Sequence, residues 1–287
     1  MTLLVAFNTT RLMQFLRPVV TLLVALGVAC IGPAHAQSLQ EKIKNKQPVV
    51  IATEDDYRPF EFVHDGKPAG LNNELFQIMK SEAQFDLRQE ILPWTGLLAG
   101  VSTGKYDAAV TGALMNKERV KTFDFAMPIA ENTHHYLKCK NDNSIKEIKD
   151  LSGKTVGVQS GSVLFARLPE LEALLAKTGG KLGKVVQYTA YPEAYQDLAV
   201  GRVDYVVNGQ INLLAVITEK PGTFEMGQAV SGPSYVAWPV KKGNKEMLDY
   251  LNAFLKKMRS SGKLAELQQK WLKVTFKDLP ESVEPNF

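Results

Sequence analysis

Three short stretches could carry serine chemistry. Ser102-Thr-Gly-Lys105 and Ser260-Ser-Gly-Lys263 fit S-x-x-K, and Lys177-Thr-Gly179 fits K-T-G. Together these match part of the signature of penicillin-recognising serine enzymes. The Ser-Asp-Asn that completes the set does not occur. Both S-x-x-K stretches sit at the ends of helical patterns, where serine and glycine cap and lysine complements the dipole. Lys177-Thr-Gly179 also ends a helical pattern rather than forming a strand. The sequence holds no phosphate-binding G-x-x-x-x-G-K loop, no G-x-S-x-G elbow and no H-E-x-x-H. His134 and His135 are adjacent, so on a strand they point to opposite faces and do not share a metal. Cys139 has no neighbour in sequence that would activate a thiol. What remains is the carboxylate run Glu54-Asp-Asp56, at the end of an apolar strand pattern. A solvated loop and a ligand-facing edge both fit it, since the strand ends of α/β sheets are where ligands bind.

An internal echo shows what must position these groups. Gly104-Lys-Tyr-Asp-Ala-Ala-Val-Thr-Gly112 matches Gly201-Arg-Val-Asp-Tyr-Val-Val-Asn-Gly209 at four of nine positions. Each copy follows an apolar helical stretch, from Trp94 to Val101 and from Pro192 to Val200. The leading glycine is placed to stop the helix in a left-handed conformation. Short buried strands follow, Ala108–Val110 and Tyr205–Val207. Upstream of each copy lies another strand-to-loop passage, Val49–Ala52 before Thr53 and Thr155–Val158 before Gln159-Ser-Gly-Ser162. The chain repeats one βαβ theme in two halves. Alternating strands and helices imply an α/β protein with mainly parallel sheets covered on both faces. Small polar residues then gather at the carboxyl ends of the strands: Thr53, Thr111-Gly112, Gln159–Ser162 and Asn208-Gly209. Two such sheets facing one another form a cleft.

Composition is that of an ordinary globular chain, with 45% hydrophobic and 22% charged residues. The net charge is only +4 and no basic cluster stands out, which argues against a nucleic-acid partner. Lys245–Ser260 carries an apolar stripe at helical spacing, Gly262 breaks it, and Leu264–Leu272 with Trp271 forms another helical segment. This tail reads as core.

The first 36 residues read as a targeting leader. Arg11 and Arg17 precede the apolar run Val19–Ile31, then Gly32-Pro33 and the A-x-A site Ala34-His35-Ala36. The run is too short for a membrane-spanning helix. Met13 offers an alternative start. Cleavage is expected after Ala36, followed by export. Cys139 is then the only cysteine left and can form no internal bridge, so the fold must be held by burial.

Thr53-Glu-Asp-Asp-Tyr-Arg-Pro-Phe60, Gly70-Leu-Asn-Asn-Glu-Leu75, Trp94 and Leu97 resemble the opening of the bacterial extracellular solute-binding proteins of family 3. These are the polar amino-acid receptors of ABC importers. The likeness runs on through Gly104–Asp107, Glu118-Arg119, Phe123–Phe125, Pro128, Asp150–Lys154, Gly157–Ser162, Gly201–Asp204, Gly262 and Lys270-Trp271. It implies two lobes joined by two strand crossings, with the ligand in the cleft between them. Residues 37–132 would form the first part of lobe one, 133–232 lobe two, and 233–287 the return to lobe one. It further implies a periplasmic monomer without cofactor or metal. Such a protein closes on a small carboxylate or amino-acid-like ligand and hands it to an inner-membrane ABC permease.

The resemblance assigns roles residue by residue. Arg119 matches the arginine that clamps the ligand carboxylate, just after Asn116, a good helix cap. Tyr57 and Trp94 match the aromatic walls, and Glu54 a position that reads the ligand's side chain. Gly112 matches a backbone carbonyl that accepts from the ligand amine, with Thr111 beside it. Gln159, Ser162 and Val163 match the second-lobe loop that meets the carboxylate with N–H groups. Leu114 stands where many members have Ser or Thr, and Asn116 replaces a common threonine. Asn208-Gly209 stands where the family places an aspartate on the ligand's ammonium. Either Glu54 or Asp56 supplies that charge, or the ligand lacks a conventional α-amino group. Putting an aspartate at Gly209 is expected to favour α-amino acids. Two other readings stand beside transport. One is an enzyme on the same scaffold, like a cyclohexadienyl dehydratase, with Glu54 as its acid or base. The other is a sensory or dehydrogenase-associated binding module.

Overall fold

The computed structural model describes residues 37–285 and 287. The expected leader lies outside these residues. The described chain is organised around two five-stranded sheets and a small three-stranded one.

The first sheet has the order Leu87–Leu92, Val49–Glu54, Ala108–Ala109, Pro239–Lys241, Phe123–Phe125. The second has the order Val185–Tyr188, Val156–Gln159, Tyr205–Gly209, Ala130–Cys139, Phe224–Val236. In each sheet the first three strands are parallel. In each, the fourth strand runs against both of its neighbours. The sheets are therefore mixed, parallel except for one reversed strand apiece. That strand is the one by which the chain enters from the other half. Ala130–Cys139 brings it into the second sheet, and Pro239–Lys241 returns it to the first. The reversed strands fall outside the sequence echo, so periodicity carried no sign of their direction.

The two crossings lie side by side. Ile129 donates its N–H to Val236 O at 2.8 Å, and Ala126 to Trp238 O at 2.9 Å. The carbonyls that start the outgoing crossing are held by the C-terminal helices Lys245–Ser260 and Lys263–Leu272. Gln268 Nε2 donates to Ile129 O at 2.7 Å, and Arg259 Nη2 to Pro128 O at 2.6 Å. Met247, Leu251, Phe254, Leu255 and Met258 form the buried stripe of the first helix. Gly262, at φ 74°, makes the turn between the two helices.

The echo has a mechanical meaning. Gly104 (φ 83°) stops the Leu97–Thr103 helix, and Gly201 (φ 74°) follows the Tyr191–Ala199 helix. The echoed aspartates then grip the starts of the Val49–Glu54 and Val156–Gln159 strands. Asp107 Oδ2 accepts from Val50 N at 2.8 Å, and Asp204 Oδ2 from Thr155 N at 2.6 Å. Each carboxylate satisfies an N–H that the neighbouring strand would leave bare. These two acids are structural, and they align the strand ends that carry the cleft residues.

Candidate functional site

Glu54 ends the Val49–Glu54 strand and Gln159 ends Val156–Gln159. The two ends face one another across the halves. Gln159 Nε2 donates to Glu54 Oε1 at 2.7 Å, and both side chains are buried. Arg119 opens the short Arg119–Thr122 helix, and its N–H is capped by Asn116 Oδ1 at 2.8 Å. Its guanidinium carbon lies 5.0 Å from the Trp94 ring centroid. Nη1 donates to Leu114 O at 2.7 Å, and Nη2 reaches across to Gly161 O at 3.1 Å. Loss of the Leu114 hydroxyl position is thus accompanied by a backbone contact to the arginine.

Nine residues singled out in the sequence line one cleft: Glu54, Tyr57, Trp94, Gly112, Leu114, Arg119, Gln159, Ser162 and Val163. Only about 20 Å³ is free within it, close to the minimum that holds one water. The walls are in contact, so anything larger must enter by parting them, as in hinge closure. Ser162 caps the turn Val163–Ala166 through Phe165 N–H and donates its hydroxyl to Gln159 O at 2.8 Å. Gly112 needs to be small. A Cβ there would lie 2.5 Å from a Tyr57 ring carbon, so a larger residue would lift the ring off the wall.

Charge in the cleft is poorly solvated. Burial holds the Glu54 pKa well above its ordinary value, and the negative charge of Glu61 adds to this. Burial also pulls Arg119 down to about 10, against the nearby Tyr57 and Glu54. Among the described residues, neither Arg119 nor Glu54 pairs with an opposite charge. Their hydrogen-bond partners are carbonyls and an amide.

Three expected site residues lie off this cleft. Thr111 is fully buried, and its hydroxyl donates to Glu61 instead of facing a ligand. Asn208 is tied down on every side. Its Oδ1 accepts from Gly209 N at 2.7 Å and from Tyr57 OH at 3.3 Å, and its Nδ2 donates to Tyr195 OH at 2.8 Å. Gly209 has an ordinary φ of −65°. A Cβ there would sit 2.0 Å from Asn132 Nδ2. The place where an aspartate was expected to restore a charge is filled by the Asn132 side chain.

Sequence reasoning missed Glu61, and also Tyr191 and Tyr195, whose rings form a row with the cleft's Tyr57 at centroid spacings of 6.0 and 5.8 Å. Glu61 accepts from the Thr111 hydroxyl, from Gly112 N at 2.7 Å and from Asn72 Nδ2 at 2.6 Å. Asn72 in turn accepts from Trp238 Nε1 at 2.9 Å. Glu61 therefore links the cleft's Gly112 to the residues that follow the returning strand crossing. The available signal was an acid inside the apolar run Pro59-Phe-Glu-Phe-Val63.

Burial raises the Glu61 pKa from 4.5 to about 7, outweighing its three donors. A carboxyl with a raised folded pKa binds its proton more tightly in the folded state. Its stabilising contribution is complete below the unfolded pKa and is lost as pH rises through the folded one. Stability should therefore fall between pH 4.5 and about 7. The fall should be on the order of 3 kcal/mol at most for this group, from about 1.4 kcal/mol per pKa unit. Urea unfolding at stepped pH checks this. Glu61→Gln should flatten the slope, and an unchanged slope would assign it elsewhere.

The chain matches the bacterial extracellular solute-binding proteins, family 3, over residues 49–274. It is 28% identical over 240 residues to the L-cystine-binding protein TcyJ of Escherichia coli (strain K12), covering 82% of this chain and 86% of that protein. It is 25% identical over 257 residues to the arginine-binding extracellular protein ArtP of Bacillus subtilis (strain 168), covering 87% of this chain and 96% of that one. Among solved structures, it resembles the ancestral amino acid-binding protein AncCDT-1, described as a precursor of cyclohexadienyl dehydratase. That match has a TM-score of 0.70 at 25% identity and covers 81% of this chain and 98% of the other.

Proposed function

Because this chain belongs to the bacterial extracellular solute-binding proteins of family 3, we propose that it captures an amino-acid-like carboxylate and delivers it to an inner-membrane ABC permease. The single observation that carries the ligand class is the facing pair Arg119 and Glu54. A guanidinium and a carboxyl stand in one poorly solvated cleft, each held by neutral partners. A zwitterion supplies the missing complement to both: its carboxylate to the guanidinium fork and its ammonium to Glu54. Glu54 thereby takes the part for which the sequence offered Glu54 or Asp56 in place of an aspartate at Gly209. Trp94 and Tyr57 wall the ligand, and the Ser162–Val163 turn adds backbone donors from the second half. Relatives named for cystine and arginine binding support the same class. In this reading residues 37–132 and 233–287 form one lobe and 133–232 the other, and the leader is cleaved after Ala36 to release the protein into the periplasm.

The enzymatic reading has one observation in its favour. Glu54 holds a proton more tightly than an ordinary carboxyl, as a general acid requires. One experiment separates the two. Protein purified without added ligand is denatured, and the released small molecules are identified by mass spectrometry. We expect an amino-acid-like carboxylate at near-equimolar amount, one that raises the melting temperature when added back unchanged. A released compound without a carboxylate would overturn the reading. Turnover of prephenate or arogenate would replace it with the dehydratase.

A further inference from the structure

The Arg119–Thr122 helix is a single turn, and none of its residues is buried. A helix that short does not hold its own shape, because nucleation is unfavourable and most helical stability comes from packing. The direction of the Arg119 side chain must therefore be set by the chain just before it. One hold on that chain is the returning crossing. Met115 N donates to Tyr235 O at 3.0 Å, and Ala237 N donates to Ala113 O at 3.0 Å. A second hold is Phe287, whose backbone O accepts from Lys117 N at 2.8 Å. Lys117 directly follows Asn116, the residue that caps Arg119.

The Phe287 ring rests on an arginine that is fixed at every nitrogen. The Arg167 guanidinium carbon lies 3.9 Å from the ring centroid. Arg167 is itself buried. Its Nε and Nη2 donate to Glu170 at 2.7 and 2.8 Å, and its Nη1 donates to Gly232 O and Ser234 Oγ, both at 2.9 Å. Gly232 and Ser234 belong to the Phe224–Val236 strand of the second sheet. A cation largely withdrawn from water is where a cation–π contact is strongest. The chain is guided on its way to Phe287. Phe276 N donates to Gln268 Oε1 at 3.0 Å, and Arg259 Nη1 donates to Leu279 O and Pro280 O at 3.0 and 3.1 Å. Gln268 and Arg259 are the same two side chains that hold Ile129 and Pro128 of the outgoing crossing.

We propose that the segment following the Lys263–Leu272 helix is a strap, and that Phe287 is a positioning residue for Arg119. Its carbonyl fixes the turn that aims the guanidinium, and its ring ties that turn to the second sheet through Arg167. Neither Phe287 nor Arg167 lines the cleft, so their effect on binding passes through Arg119. The aim of Arg119 then depends on the second half of the molecule as well as the first.

This inference rests on the reading of Arg119 as the carboxylate clamp, and the test separates the two. With no ligand added, the amides of residues 115–122 should exchange hydrogen at least about tenfold faster in Phe287→Ala than in wild type. Losing the ring frees the segment, and its carbonyl with it. The Val49–Glu54 and Val156–Gln159 strands should keep their protection. Phe287→Tyr, which keeps an aromatic ring, should restore slow exchange. Calorimetry with L-arginine and L-cystine as probes then reads the clamp. Phe287→Ala should weaken binding by about threefold to tenfold, the scale of one buried cation–π contact. In an Arg119→Ala background it should cost nothing further. Unchanged exchange at 115–122 would overturn the strap. Faster exchange spread evenly over both sheets would also overturn it, because Phe287 would then be an ordinary packing residue. A loss of affinity as large without Arg119 as with it would overturn the positioning role. Probes that bind Arg119→Ala as tightly as wild type would overturn the clamp reading and leave the strap's hold on the turn standing.

Discussion

Replacing Arg119 by alanine is expected to weaken ligand binding by about 2–5 kcal/mol, because a carboxylate is then left desolvated without its cation. That corresponds to at least about thirtyfold in Kd. The geometry favours the upper part of the range. The guanidinium is held against Trp94 and fixed by Leu114 O and Gly161 O, so its fork is oriented before the ligand arrives. Arg119→Lys should restore only part of the loss, since an ammonium lacks the planar pair of donors. Without ligand the alanine variant should unfold at nearly the wild-type urea midpoint, because it removes a cation whose burial is already unfavourable. Calorimetry with the ligand recovered from the native protein is the measurement. A loss of less than tenfold would place Arg119 outside the binding site.

Gly209→Asp should destabilise the fold by about 3 kcal/mol or more. Overpacking a buried site alone costs about 1–3 kcal/mol, and a buried carboxylate without a cation adds to it. The new Cβ would lie 2.0 Å from Asn132 Nδ2, and Asn132 has little room to retreat. Its Oδ1 accepts from Ile211 N at 3.1 Å, and its Nδ2 donates to Asn212 Oδ1 at 2.9 Å. Asn212 also bridges the halves through Arg58 O at 2.7 Å. The aspartate would therefore disturb closure as well as packing. Urea denaturation reads the loss, and Gly209→Asp combined with Asn132→Gly should recover part of it. A single variant as stable as wild type, with strengthened α-amino acid binding, would show that Asn132 yields freely.

This second case shows where sequence reading stops. The pattern of strands, glycine stops and cleft residues was legible because it follows from local chemistry. Glycines that end helices and apolar runs that form strands announce themselves by type and spacing. Glu54 stood out because it ends a strand pattern, where a cleft is expected; Arg119 and Gln159 were singled out by the family resemblance, and the structure brings all three to one cleft. Gly209 was not legible, because the side chain that occupies its space comes from Asn132, far away in sequence. Thr111 was misplaced for a similar reason. Its hydroxyl is claimed by Glu61, and only the three-dimensional packing of the Glu61–His64 strand under the cleft brings them together. The echoed aspartates serve the fold, each holding a backbone N–H at the start of a strand. The tyrosine row is assembled from two separate segments of the chain, and no single-sequence period could have aligned it.

The paired crossings between the halves act as a leaf spring. Two strands hydrogen-bonded side by side bend readily across their shared plane and resist shear and twist within it. At one end the spring is clamped where Gln268 and Arg259 grip Ile129 and Pro128. Should the halves part about these crossings, Glu54–Gln159, Tyr57–Asn208 and Arg119–Gly161 would all have to open, because each ties a residue of one half to a residue of the other.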